Sequence, residues 1–138
     1  MKSKIFVGEF IGSALLVMAI VGSGIMAESL TNDTAVILLA NAVATGAALY
    51  FLIVSISDIS GAHFNPFVTL AMYLSKKIKS QLLPVYFTAQ ILGCLTGVML
   101  ANFFFDYSLI ELSSKSRSGI NVFVSVSYTH LTLPTTYH

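Results

Sequence analysis

Long apolar segments alternate with short polar ones along this chain, and the alternation predicts three membrane-spanning helices. The apolar segments cover about residues 5–27, 34–56 and 82–105. A helix rises about 1.5 Å per residue, so each segment is long enough to cross a hydrocarbon core about 30 Å thick. The pattern therefore predicts an all-α membrane protein.

A fourth apolar segment, residues 65–74, is too short to span and begins with Asn65 and Pro66. Asparagine is a favourable N-cap, and proline is favourable at the first helical position. A helix here would rise about 15 Å, half of the hydrocarbon core. The preceding residues, 57–64, are expected to form an irregular loop, which is tolerated at membrane depth only inside protein or beside a water-filled cavity. We therefore expect a re-entrant half-helix beside a pore; the alternative is an ordinary capped helix.

The composition independently indicates a membrane protein. Hydrophobic residues make up 56% of the 138 residues and charged residues only 9%, with a mean hydropathy of +0.85. A soluble domain carries about a quarter charged residues. The net charge of +1 without a basic patch gives no indication of a nucleic-acid partner. The single cysteine, Cys94, excludes an intramolecular disulfide.

The few charges predict an orientation. Once three spans and a returning half-helix are drawn, five lysines fall on one side: Lys2, Lys4, Lys76, Lys77 and Lys79. Four acidic residues fall on the other: Glu28, Asp33, Asp106 and Glu111. Lys115 and Arg117 disagree with this division. By the positive-inside rule we expect a cytoplasmic N-terminus in a multi-pass protein of the inner or plasma membrane.

The sequence offers few candidate catalytic residues. His63 could suggest metal binding or acid–base chemistry, but no second histidine, cysteine or carboxylate stands at ligand spacing. The chain also lacks a recognisable nucleophile with its base and a phosphate-binding loop. We therefore expect no enzyme activity, no metal and no cofactor, and we interpret His63 as a residue that braces the loop.

Three motifs carry a family resemblance. The stretch Ser60-Gly61-Ala62-His63-Phe64-Asn65-Pro66-Phe67-Val68-Thr69 resembles the first Asn-Pro-Ala box of the major intrinsic proteins, the aquaporins and glycerol facilitators. The residues Gly8-Glu9-Phe10-Ile11-Gly12-Ser13 resemble the family's Ala-Glu-Phe-x-Gly-Thr signature, and Ala89-Gln90 resembles its third-helix pair. The resemblance, to bacterial-type members, implies one aquaporin-like repeat of three transmembrane helices plus a re-entrant half-helix.

The resemblance also implies which residues line a pore. The carbonyls of three loop residues would form a ladder along it, and the residues of the box would lie at its narrow centre: Gly61, Ala62, His63, Asn65, Pro66 and Phe67. Phe67 replaces the family's usual alanine and could crowd the point where two half-helices meet. In an ungapped alignment Thr45 falls at the second-helix position of the selectivity filter. Since water-selective members and glycerol facilitators have an aromatic residue there, threonine predicts a wider filter.

Polar residues inside the spans are assigned supporting roles. The resemblance implies that Glu9 and Gln90 support the pore loops from within the bundle. The alternatives are that Glu9 snorkels to the membrane surface and that Gln90 only bonds a neighbouring helix. Small-xxx-small spacing at Gly8 and Gly12, and again at 93 and 97, predicts faces on which another helix packs closely.

The chain contains one such repeat, which we assign to residues 1–121. Such pores are built from inverted repeats, and residues 122–125 resemble residues 5–8, as though a second copy were beginning. Residues 126–138 contain no spanning run and no helical periodicity, and we interpret them as a non-native tail of a truncated gene product. The alternative is a genuine half-size protein that must dimerise.

These observations predict a function in passive transport. We expect the N-terminal half of a channel, embedded in the lipid bilayer, for water or small uncharged solutes such as glycerol, urea or metalloid hydroxides. The resemblance implies a homotetramer for a full-length chain. Two alternatives stay open: half of a secondary transporter with an ion site at the broken helix, and a non-conducting fragment.

Overall fold

The computed structural model describes residues 1–110 and residue 120, and these contain four α-helices and no strand. The helices are α1 (Lys2–Leu30), α2 (Thr34–Ser60), α3 (Pro66–Leu74) and α4 (Leu83–Phe104), and a 3₁₀ turn at Ser80–Leu82 leads into α4. Helices α1, α2 and α4, the last counted with its 3₁₀ turn, are long and apolar enough to cross a membrane. The predicted all-α membrane fold is confirmed, with three long helices and one short helix, α3.

Helix α2 extends beyond the predicted span, and the irregular loop is correspondingly shorter. Asp33 begins the helix, because its Oδ1 accepts hydrogen bonds from the backbone amides of Ala35 and Val36. The helix continues to Ser60, with the Gly61 amide donating to the Ser57 carbonyl at 2.8 Å. Gly61 then adopts a left-handed conformation, with φ of 91°, which terminates the helix. The loop predicted over 57–64 is therefore residues 61–65.

Helix α1 packs against both α2 and α4. Gly93 and Gly97 of α4 lie against the backbone carbonyls of Phe10 and Ala14, so the two helices run parallel and approach closely. A Cβ atom at Gly93 would also lie 3.0 Å from the Cβ of Ser13. The close-packing face predicted at residues 93 and 97 is confirmed.

The glycine pair of α1 contacts both a packing helix and the loop. A Cβ atom at Gly8 would lie 2.8 Å from the Cβ of Ser60, and one at Gly12 would overlap the ring of Phe64. The two glycines therefore make room for the end of α2 and for the loop, rather than only for a packing helix. The predicted approach of another helix is confirmed at Gly8, where the helix is α2, whereas at Gly12 a loop residue approaches instead.

The parallel arrangement of α1 and α4 brings the start of α1 and the turn before α4 to one end of the bundle. The lysines near these helix starts are all exposed: Lys2, Lys4, Lys76, Lys77 and Lys79. Asp58 lies in the last turn of the antiparallel helix α2 and so reaches the same end. Glu111, Lys115 and Arg117, together with the predicted tail, lie outside the described residues.

Candidate functional site

The half-helix α3 begins as its sequence predicts. The Oδ1 atom of Asn65 accepts a hydrogen bond from the Phe67 amide at 2.8 Å, and Pro66 occupies the first helical position. Within the described part of the chain, the side-chain amide nitrogen of Asn65 has no hydrogen-bond partner. Capping therefore uses only the oxygen of this side chain and leaves its donor end available to another molecule.

The loop that leads into α3 has an unusual backbone. After Gly61, both Ala62 and Phe64 have positive φ angles, of 51° and 52°. Left-handed conformations are uncommon for residues with a Cβ atom and cost about 1–2 kcal/mol each. Such a conformation persists only when surrounding contacts hold it in place.

The carboxylate of Glu9 supplies those contacts. Its Oε1 accepts hydrogen bonds from the Ser60 hydroxyl at 2.8 Å and the His63 amide at 2.9 Å. Its Oε2 accepts from the Phe64 amide at 2.8 Å and from the Gln90 side-chain amide at 2.8 Å. Glu9 is 0% exposed, which excludes the alternative that it snorkels to the membrane surface.

These hydrogen bonds fix the direction of the loop carbonyls. In a planar trans peptide, the carbonyl of one residue points opposite to the N–H of the next. The amides of His63 and Phe64 point to Glu9, so the carbonyls of Ala62 and His63 point away from it. The Ala62 amide donates to the Ser60 hydroxyl, which is itself bound to Glu9, and the Gly61 carbonyl points away in the same manner. Three consecutive carbonyls therefore face the side of the loop opposite to Glu9.

A threonine in the half-helix extends the network to α3. The Oγ1 of Thr69 accepts a hydrogen bond from the Gln90 side chain at 2.9 Å and lies 3.1 Å from Nδ1 of His63. Thr69, Gln90 and His63 are all buried. Gln90 thus does more than join two spans, because its one amide nitrogen contacts both Glu9 of α1 and Thr69 of α3. Within the described residues no cluster of three or more His, Cys, Asp or Glu side chains forms around His63 or elsewhere.

The sequence interpretation gave no role to three members of the network: Ser60 and Thr69, which lie in the quoted motif, and Tyr86 of α4, which does not. The Tyr86 ring stacks on that of His63, with centroids 4.5 Å apart and an interplanar angle of 16°, and its hydroxyl donates to the Ser60 carbonyl. Tyr86 precedes Gln90 by one helical turn, so the two share a face of α4. This spacing places two hydrogen-bonding side chains on one face of an apolar helix, and it could have indicated from the sequence that Tyr86 belongs with Gln90.

Two residues assigned to the pore lie outside this network. The Thr45 hydroxyl contacts Oδ1 of Asn41 at 3.5 Å, and the Asn41 amide donates to the Ile20 carbonyl of α1 at 2.8 Å. Phe67, in the first turn of α3, is 54% exposed. The filter role of Thr45 and the narrowing role of Phe67 stay predictions.

The fold and the site together define a helical membrane protein whose re-entrant half-helix is held by a buried carboxylate. The family model described as Major intrinsic protein matches residues 1–132, and the chain belongs to that family. It is 45% identical over 113 residues to aquaglyceroporin AqpS of Rhizobium meliloti (strain 1021), covering 82% of this chain and 48% of that protein. It is 39% identical over 93 residues to aquaporin-8 of Rattus norvegicus, covering 67% and 34%.

A solved structure shows the same fold. The X-ray structure of the aquaglyceroporin from Plasmodium falciparum superimposes with a TM-score of 0.67 at 28% sequence identity, over 77% of this chain and 43% of that one. The chain therefore spans half or less of the length of these relatives.

Proposed function

We propose that this chain forms one half of a membrane channel for the passive permeation of water and small uncharged solutes. The observation that carries the proposal is the loop at residues 61–65. The amides of His63 and Phe64 point to Glu9, the carbonyls of Gly61, Ala62 and His63 face the other way, and the Asn65 side-chain amide is available as a donor. The family membership and the names of the relatives support a channel rather than an enzyme.

The mechanism follows from these groups. A solute that loses its water shell at the narrow part of a pore needs replacement hydrogen bonds. The carbonyls of Gly61, Ala62 and His63 would accept hydrogen bonds from it, and the Asn65 amide would donate one. The N-terminus of α3, with about half a positive charge, disfavours cations at the same point. The solute crosses by exchanging hydrogen bonds, and no covalent bond is made or broken.

Glu9, the carboxylate beside the broken helix that the transporter alternative could use as an ion ligand, already has its hydrogen-bonding positions filled. A carboxylate has about four lone-pair positions for hydrogen bonds, and Glu9 already accepts four. An ion could bind there only by displacing the donors that hold the loop. The network thus favours a fixed support for a pore over an exchangeable ion site.

The remaining features of the proposal concern the whole protein. The other half of the pore would come from a second repeat, and the family would place the assembly as a homotetramer in the plasma or inner membrane. The exposed lysines at one end of the bundle favour a cytoplasmic N-terminus. Two of the relatives are named aquaglyceroporins, which supports solutes larger than water: glycerol, urea or undissociated metalloid hydroxides.

The selectivity of the proposed pore can be tested at Thr45. Residues 1–121 would be joined to the second half of aquaglyceroporin AqpS, and water and glycerol permeation measured by stopped-flow light scattering on vesicles. The joined parent is expected to pass both. Thr45→Phe should reduce glycerol permeability at least about tenfold, which corresponds to about 1.4 kcal/mol of barrier, while water permeability is retained.

Two variants control this experiment. Val43→Phe adds the same ring two residues away, on a different face of α2 from Thr45, and should leave both permeabilities unchanged. Thr45→Val removes the hydroxyl without adding bulk and should retain glycerol permeation. If the joined parent passes water alone, or if Thr45→Phe and Val43→Phe behave alike, Thr45 is not part of the filter.

A further inference from the structure

Tyr86 is placed where a single side chain contacts both the start and the interior of the loop. It lies in the first turn of α4 and is only 3% exposed. Its hydroxyl donates to the carbonyl of Ser60, the last residue of α2, and its ring stacks on His63, within the loop. No role assigned above uses these contacts.

The Ser60 carbonyl needs a partner from outside its own helix. The last carbonyls of an α-helix have no intrahelical donor, and the Phe64 amide, four residues further on, donates to Glu9 instead. Tyr86 supplies the missing donor, and the Gly61 amide of the same peptide plane donates to the Ser57 carbonyl, so the two contacts together fix the plane that joins Ser60 to Gly61. This plane is where the row of loop carbonyls begins.

The contacts from α1 and α4 are complementary. Glu9 holds the loop through the amides of His63 and Phe64, and within the described residues the carbonyls of Gly61, Ala62 and His63 accept no hydrogen bond. Tyr86 holds the loop from α4, at the Ser60 carbonyl and through the His63 ring. The loop is therefore held from two helices, at its entry and at its interior.

We propose that Tyr86 is a positioning residue that acts together with Glu9 to hold the direction of the Gly61, Ala62 and His63 carbonyls. The consequence for permeation rests on the proposed function. There Tyr86 would affect how well these carbonyls are spaced and oriented to accept hydrogen bonds from molecules that pass in single file. The positional part of the inference concerns this chain alone and can be tested without any flux.

The first test measures amide hydrogen exchange of the 138-residue chain in lipid nanodiscs. Tyr86→Phe keeps the ring and removes only the hydroxyl. Exchange at Ala62 and His63 is expected to accelerate about fivefold, the equivalent of about 1 kcal/mol for one hydrogen bond. Tyr50→Phe, which removes a hydroxyl from a ring that is 73% exposed, should change nothing.

If Tyr86 only stabilised the packing of the helices, a different result would be expected. Loss of packing would lower the melting temperature and accelerate exchange along α1 and α4 as well as in the loop. Unchanged loop exchange in Tyr86→Phe, or acceleration spread evenly over the helices, would overturn the inference.

The second test uses the joined channel described above. At equal protein content, Tyr86→Phe is expected to lower water permeability severalfold and to alter the glycerol-to-water permeability ratio, whereas Tyr50→Phe is expected to alter neither. If the joined parent does not conduct, the proposed function fails, and the exchange experiment alone decides the role of Tyr86. If the parent conducts and the ratio is unchanged in Tyr86→Phe, Tyr86 does not position the carbonyls for permeation.

Discussion

Replacing Glu9 with leucine is expected to destabilise the chain by about 2–6 kcal/mol, because at least two buried backbone amides lose their acceptor and each such loss costs about 1–3 kcal/mol. The amides are those of His63 and Phe64, and neither has another acceptor nearby in the loop. The positive φ angles of Ala62 and Phe64 would also lose the contacts that maintain them. The loop should therefore be the first part of the chain to become disordered.

Glutamine at position 9 should also be destabilising, although it has nearly the same shape as glutamate. Every partner of Glu9 donates, so an NH₂ group in place of either oxygen would face a backbone N–H. The Ser60 hydroxyl can rotate and the Gln90 amide can flip, but a backbone amide can do neither. One amide is left unpaired in either orientation, at a cost of about 1–3 kcal/mol.

Thermal unfolding in detergent, followed by circular dichroism, would rank these variants. The expected order of stability is parent, Glu9→Gln and then Glu9→Leu. Glu28→Leu removes an exposed carboxylate near the end of the same helix and should match the parent. Equal melting temperatures for the parent and Glu9→Leu would show that the carboxylate does not hold the loop.

An alanine at Gly97 is expected to disrupt the packing of α1 on α4. A Cβ atom there would overlap the backbone of Ala14, which cannot move aside as a flexible side chain could. Overpacking of this kind typically costs about 1–3 kcal/mol, and contact with backbone places Gly97 at the upper end. The variant should give less folded protein and a lower melting temperature.

Gly46 provides the matched control for this substitution. It also lies within a spanning helix, but a Cβ atom there would have nothing within 4 Å. Gly46→Ala should be neutral or stabilising by up to about 1 kcal/mol, since alanine favours the helix. Gel-filtration yield and the melting temperature should therefore fall for Gly97→Ala and stay the same or rise for Gly46→Ala. Similar losses in both would mean that the Gly97 contact is not what limits stability.

The hydrophobic pattern was sufficient to predict the helices, including the half-helix. Membrane spans are set by length and apolar composition, and Asn65 and Pro66 mark the start of α3 by local chemistry alone. The end of α2 was misplaced because Ser57 and Asp58 suggested a loop, whereas helical hydrogen bonding continues to Gly61. Polar residues can remain helical at the end of a span, where they reach the aqueous boundary.

The contacts of the network were only partly accessible from sequence. The roles of Glu9 and Gln90 came from the family resemblance, but their partners depend on how α1, α3 and α4 are aligned in three dimensions. The left-handed conformations of Ala62 and Phe64 left no trace in the sequence, because neither residue is a glycine. Tyr86 could have been found from its spacing to Gln90, although its acceptor, a backbone carbonyl, could not.

Selectivity is the least accessible property from this chain alone. A pore wall is closed by groups on both sides, and in the proposed channel this repeat would supply one side. Thr45 and Phe67 are partly exposed here. What they exclude or admit depends on the residues opposite them, so their roles stay predictions until a complete pore is measured.

We propose that this chain supplies half of a pore. In α2 only Leu52 and Ser60 are buried, which leaves most of this helix to contact lipid or a second repeat. The most direct measurement compares osmotic swelling of vesicles that contain the chain alone with vesicles that contain residues 1–121 joined to a second repeat. We expect the chain alone to insert and to swell no faster than empty vesicles, whereas the joined protein conducts water and glycerol without an ion gradient. Channel-like swelling by the chain alone, or no swelling by a correctly inserted joined protein, would contradict this account.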